Sequence, residues 1–204
     1  MELLAIEIHH GAITILDFKE NRAEMFLSRK FSDELDRHGI GPAMLSPFLA
    51  NFDACLLHAS AIVHQGRAAV FIAPDAGGKT TASSLAPNGS VIGDDQILLR
   101  RISGGFQVSG TPWGLQIDSN LRAPLAGLFI LEKAQKFSLA PITSADLVSC
   151  LWQEGKDLLS ILPKPLKSKA FEIWCDLAAA VPAAKLSFPR DHIDWEALER
   201  MMND

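Results

Sequence analysis

The chain has 204 residues, 48% of them hydrophobic and 21% charged, with a formal net charge of −5. That length buries one good core, and the acidic balance argues against a nucleic-acid partner, because phosphate backbones demand a basic face. No apolar run approaches the roughly 18 residues of a membrane span, so no membrane partner is expected and the cytoplasm is the default compartment.

Cys55, Cys150 and Cys175 are odd in number and form no CxxC or CxxH grouping. They read as reduced, buried structural thiols without a metal. At the start, "MELLAIEIHHGAITILDF" lacks a basic n-region, and Glu2, Glu7, His9 and His10 interrupt its apolar residues. It is strand material turning back at His10-Gly11 rather than a signal peptide. Asp33 to Leu57 reads as helix-like, cut into pieces by Gly39, Gly41, Pro42 and Pro47. "LLHASAIVHQGRAAVFIAP" reads as strand, tight turn at His64-Gln65-Gly66-Arg67, and strand. After Lys79, "TTASSLA" is a short helix of small residues stopped by Pro87-Asn88-Gly89. "SVIG" and "QILLRRI" are strands on either side of Asp94-Asp95, and Gly104-Gly105 turns the chain into "FQVSG". "LAGLFILE" has the near-continuous apolar character of a strand buried on both faces. Ser144 to Trp152 and Pro165 to Val181 read as helices, "AAKLSFP" as a late strand, and Asp194 to Met202 as a closing helix capped by Asp194 or Asp191. The fold class is mixed α/β, β-rich with flanking helices, in a single domain spanning 1–204.

The chemistry concentrates in "AVFIAPDAGGKTTASSLAPNGSVIGDD". A phosphate-binding loop needs a strand, a tight turn with inward N–H groups, a lysine reaching the β and γ phosphates, and a hydroxyl for the metal. Here Ala73, Pro74, Asp75, Ala76, Gly77, Gly78, Lys79, Thr80 and Thr81 form the candidate nucleotide-binding stretch. The strict GxxxxGK[ST] pattern is missed at one position, where Ala73 replaces glycine. An ordinary glycine-rich turn before a helix is the bland alternative. Asp94 and Asp95 follow fifteen residues past Lys79. Adjacent carboxylates are costly unless a cation or solvent neutralises them. Beside a nucleotide, one can hold Mg²⁺ and the other can take a proton from an attacking hydroxyl; otherwise the pair is a solvated turn.

His58 on the preceding strand, "APDAGGKT", the short helix and "SVIGDD" resemble the HPr kinase/phosphorylase family and its shorter relatives, a group whose fold phosphoenolpyruvate carboxykinase shares. The resemblance is clear over about Leu57 to Asp95. It implies a P-loop kinase core at 56–204, with about 1–55 as N-terminal strands and helix packed on it. It further implies that Gly78, Lys79 and Thr80 bind nucleotide phosphate and that Thr80 supplies the Mg²⁺ hydroxyl. Asp94 is then the base, Asp95 its acidic partner near the metal, and His58 an active-site residue alongside Lys79. The sequence departs from the family at Ala73 and Ala76, where glycine is usual, and near Arg122, where a further metal-binding glutamate is expected and Asp118 is the nearest acid.

Elsewhere, Thr111, Trp113 and Asp118 lie on a loop that either floors a substrate pocket or plugs the core edge. Of Arg100 and Arg101, strand alternation lets at most one reach a phosphate. His9, His10, His38, His64 and His192 read as surface or cap residues, and Trp152, Trp174 and Trp195 as core. Three functions stand open. The first is an ATP- and Mg²⁺-dependent kinase acting on a hydroxyl of a protein, peptide or small molecule. The second is a non-catalytic nucleotide-binding or scaffold protein with a degenerate loop. The third, a carboxykinase-like lyase, would need metal ligands that cannot be placed. Self-association is left open.

Overall fold

One strand organises the fold of the computed structural model, which describes residues 3–8, 12–17, 19–20, 22–27, 40–112, 121–160, 162 and 164–203. That strand is β4 (Ala54–His64), and it pairs antiparallel with β5 (Arg67–Ile72) from Ala59 onward. The connecting residues Gln65 and Gly66 have φ of 51° and 78°. A two-residue turn left-handed at both positions matches the twist of a tight hairpin. On its other side β4 faces two short strands, β6 (Ser90–Gly93) and β7 (Gln96–Ile102), both antiparallel to it. They form one interrupted run, and the interruption is Asp94-Asp95.

β8 (Gly105–Gly110) pairs with β7, and β9 (Arg122–Lys133) pairs with both β8 and β5. The pairings of β4, β7, β8, β9 and β5 therefore close a ring. Beyond it, β11 (Ala183–Phe188) runs parallel to β9, and β10 (Ser138–Pro141) pairs antiparallel with β11. β5, β9 and β11 are thus parallel neighbours whose carboxyl ends share one edge.

Two apolar layers cover this sheet. Along β5, Ala68, Val70 and Ile72 face a core with Leu147, Leu151, Ile173, Trp174 and Leu177 of helices α3 (Ser144–Ser160) and α4 (Lys164–Ala180). The alternate residues Ala69 and Phe71 face a second core with Phe129, Leu186, Trp195, Leu198 and Met202, the last three from α5 (Trp195–Asn203). Period-two alternation with both faces apolar is what a doubly covered strand requires. The run around Leu128 and Phe129 is likewise buried on both faces. Asp194 caps α5 as expected, accepting from the Ala197 N–H at 3.1 Å.

The N-terminal hairpin forms as read, with β1 (Leu3–Ile8) against β2 (Ala12–Asp17); β3 (Arg22–Leu27) adds to β2 in a separate three-stranded sheet.

Several expectations are corrected. Within Asp33 to Leu57, one continuous helix α1 (Ile40–Leu49) runs through Gly41, Pro42 and Pro47, a 3-10 turn follows at Ala50–Phe52, and Ala54 to Leu57 are strand. Pro42 lies in the first turn, where no N–H is needed. Asp53 then takes a left-handed φ of 53°, which redirects the chain. The helix expected to end at Trp152 continues to Ser160 through Gly155. Trp152 itself is 42% exposed rather than core, standing edge-on to Phe171 at 6.1 Å, because its neighbour Leu151 takes the core-facing position. Among the thiols only Cys55 is buried, where desolvation pushes it up to about 12; Cys150 is half-buried and Cys175 exposed. Arg101 binds Asp176 at 2.7 Å, so it is spent on α4. His64 is buried and bonded to Glu199 at 2.6 Å, against the surface role expected of it. His9, His10, His38, Trp113 and Asp118 lie outside the described residues.

A methyl group on Gly155 would stand within about 2.5 Å of Trp174 Cζ2. Helix propensity alone favours alanine there by about 1 kcal/mol. The clash reverses the sign: Gly155→Ala should destabilise by about 1–3 kcal/mol in urea unfolding.

Candidate functional site

α2 (Lys79–Ser84) begins directly after the loop that leaves β5 at Ile72. Buried hydroxyls fix its start. Ser60 Oγ on β4 donates to the Lys79 carbonyl at 3.0 Å, and Ser83 Oγ donates to Ser60 Oγ at 2.9 Å. The loop backbone is equally constrained. Gly78 has φ of 104°, and a Cβ on Gly77 would stand 2.5 Å from Ala73 Cβ and 2.7 Å from the Pro74 carbonyl oxygen. Ala76 adopts φ of 56°. Of the two alanines that replace glycine, this is the one that carries left-handed strain, about 1 kcal/mol for a residue with a Cβ; Ala73 is buried in the core beside Phe71.

Lys79 is buried, and its ammonium donates to the carbonyls of Ala73 at 2.8 Å and Pro74 at 3.3 Å and to His58 Nε2 at 3.0 Å. Asp75 lies 3.9 Å away. His58 sits opposite Gln96 where β4 meets β7, next to the interruption that holds the acids. Its Nε2 is 3.3 Å from Asp95 Oδ1 and 3.2 Å from Asp75 Oδ1, while Nδ1 donates to Glu154 Oε2 at 3.2 Å. Thr80 Oγ1 donates to Asp94 Oδ2 at 3.2 Å. Lys79, Thr80, Asp94 and Asp95 thus meet at an open cleft of about 450 Å³, lined from Asp75 through Thr81 and by both aspartates, and His58 joins Lys79 to Asp95 from behind that lining. Neither Arg100 nor Arg101 lines the cleft. Thr111 is buried nearby, donating to the Gln96 carbonyl at 2.9 Å.

Sequence reasoning missed Glu154. It lies 96 residues from His58 on α3, and only the packing of α3 on β4 delivers it. No local pattern marks it.

The two carboxylates differ in company. Asp95 is held below the usual carboxylate range, first by its bond to His58, with burial opposing and Lys79 assisting. His58 is raised above its ordinary value, first by Asp95 and against burial and Lys79, with Glu154 assisting. Asp94 stands instead with Thr80, and its Oδ1 is buried without a hydrogen-bond partner. A buried unpaired carboxylate oxygen is costly unless a ligand completes it. Two hard oxygen donors, Thr80 and Asp94, fit Mg²⁺, which typically takes one or two protein ligands and completes its shell with phosphate and water. Among the described residues no group of three or more His, Cys, Asp or Glu could hold a metal alone.

No family model matches the chain, and no curated protein matches it. Among solved structures it is similar to the HPr(Ser) kinase/phosphatase from Coxiella burnetii, with a TM-score of 0.35 and 12% identity over 72% of this chain and 91% of that one. At that level of likeness, any functional reading falls to the side chains themselves. No helix among the described residues is long and apolar enough to cross a membrane.

Two outcomes follow. Gly77→Ala should force the loop open and destabilise the protein by about 1–3 kcal/mol in urea unfolding, because the added methyl meets Ala73 and the Pro74 carbonyl. The His58–Asp95 pair should be most stabilising between the ordinary values of 3.8 for Asp and 6.5 for His. Since His58 is raised, its contribution is complete below 6.5 and lost as pH rises through the folded value; since Asp95 is lowered, its contribution is complete above 3.8 and lost as pH falls through its folded value. Urea unfolding across pH should show both losses, and His58→Gln should remove the alkaline one and shrink the acid one, because His58 is the first cause of the lowering of Asp95.

Proposed function

We propose that this protein is an ATP-dependent kinase that transfers a phosphoryl group to a hydroxyl of a protein, peptide or small-molecule acceptor. The observation that carries this reading is the convergence of Lys79, Thr80 and both aspartates on one cleft beside a glycine loop, with His58 linking Lys79 to Asp95. Lys79 leaves the loop carbonyls for the phosphates, and the loop from Ala76 to Gly78 lines their path. Mg²⁺, when bound, neutralises charge on the transferring phosphoryl and the leaving oxygens. Thr80 Oγ1 and Asp94 would hold it.

The base is assigned to the pair left over. The acceptor hydroxyl gives its proton to the Asp95–His58 pair as its oxygen bonds phosphorus and the bond to the β-phosphate oxygen breaks. This inverts the roles implied by resemblance, in which Asp94 was the base and Asp95 the metal neighbour. It is supported by the contact of Thr80 with Asp94 and of His58 with Asp95. Glu154 holds Nδ1 of His58, so that Nε2 faces the reacting groups.

The test is ATP binding and ADP formation with Mg²⁺ by wild type, Lys79→Ala, Asp94→Asn and Asp95→Asn. Lys79→Ala should lose binding. Asp95→Asn should keep binding and lose turnover by about 10²–10⁴-fold, the scale of general-base catalysis. Asp94→Asn should raise the Mg²⁺ concentration required. Nucleotide binding by wild type without any turnover would leave a non-catalytic nucleotide-binding protein. Identical behaviour of all four proteins would end the kinase reading.

A further inference from the structure

A second cavity of about 390 Å³ opens on the opposite flank of the glycine loop. Ala76, Gly78 and Thr81 line both cavities, so the loop is a shared wall. The far wall comes from the carboxyl ends of β9 and β11, through Lys133, Phe188 and Arg190. β5, β9 and β11 are adjacent and parallel, and ligands of open α/β sheets gather outside the carboxyl ends of such strands.

The two cavities have opposite polarity. The first carries Asp75, Asp94 and Asp95 beside Lys79. The charged residues of the second are Lys133 and Arg190, with no acid. Glu132, adjacent to Lys133, is tied to Lys185 at 3.0 Å and Ser187 at 3.1 Å. No ion pair links Lys133 or Arg190 to another described residue, so their charge is available to a ligand. The Phe188 ring forms part of the floor, its Cζ 3.5 Å from where a Cβ on Gly78 would stand. The Phe188 carbonyl accepts from the Ala134 N–H at 3.2 Å, which joins the two strand ends.

From this arrangement we infer that the second cavity takes the nucleoside and α-phosphate of the donor nucleotide, with Lys133 and Arg190 as its cationic contacts. The inference rests on the nucleotide reading above and gives the bound nucleotide a direction. The terminal phosphates lie at Thr80, Asp94 and Lys79, the chain passes Thr81, and the nucleoside leaves toward the cationic end. A volume of this size suits a nucleoside, and a guanidinium can bond phosphate bidentately or stack on a base.

The test compares ATP with inorganic pyrophosphate by calorimetry in the presence of Mg²⁺, using wild type, Lys79→Ala and the double variant Lys133→Ala/Arg190→Ala. Both replaced side chains are exposed, so the double variant should fold, which its circular dichroism and thermal midpoint would verify. ATP affinity should fall by at least about tenfold in the double variant, the loss of one charge-assisted contact, while pyrophosphate affinity stays within about twofold. Equal loss for both probes, or unchanged ATP affinity, would overturn the assignment and leave this cavity to another ligand, such as an acidic acceptor. If Lys79→Ala also leaves ATP affinity unchanged, or wild type binds no ATP, the nucleotide reading has failed with it. Dependence on Lys79 without dependence on Lys133 and Arg190 would sink the direction alone.

Discussion

A lysine ammonium buried where β4, the glycine loop and α2 meet sets the terms for everything around it. Burying a cation is expensive unless its donors are satisfied, and here two loop carbonyls and His58 satisfy them. Those partners dictate the geometry. The loop must fold back so that Ala73 and Pro74 present their oxygens, which leaves no space for a Cβ at Gly77 and requires left-handed backbone at Ala76 and Gly78. The Ser60–Ser83 chain then pins the first turn of α2, which fixes the backbone from which the lysine side chain reaches.

The acids belong to the same construction. β6 and β7 continue one another along β4, and Asp94-Asp95 occupies the break between them. A break in a strand releases side chains from strict alternation. It allows neighbouring carboxylates to serve different partners: Asp94 turns to Thr80, and Asp95 to His58. His58 therefore joins the lysine to the acid. Its neutral form can accept from Lys79, whereas its protonated form binds Asp95 and repels the lysine. Its protonation and the position of Lys79 are coupled.

Much of this was legible along the chain. The β4–β5 turn, the strand–loop–helix around Lys79, the doubly buried strand around Leu128 and the cap at Asp194 each follow from local chemistry: left-handed turn positions, apolar runs, or a capping carboxylate. What stayed illegible depends on contacts between distant segments. Glu154 meets His58 only because α3 packs across β4, and His64 is buried only because α5 brings Glu199 to it. The start of β4 at Ala54 and Cys55, ahead of the strand read from Leu56, was hidden because a continuous apolar run carries no period. Trp152 looked like core because an aromatic on an amphipathic helix usually is, yet the core-facing place was taken by Leu151. At the loop, Ala76 was recognisable as a departure, but only the backbone shows that it keeps the glycine-like conformation at that position.

The proposed coupling of His58 and Lys79 to a nucleotide phosphate is the centre of this account, and an NMR titration of the His58 imidazole, with and without saturating MgATP, tests it most directly. The free protein should titrate above the ordinary 6.5. MgATP should raise the midpoint further, because Lys79 leaves the imidazole for a phosphate and anionic charge arrives. A midpoint at or below 6.5 that is indifferent to MgATP would contradict it.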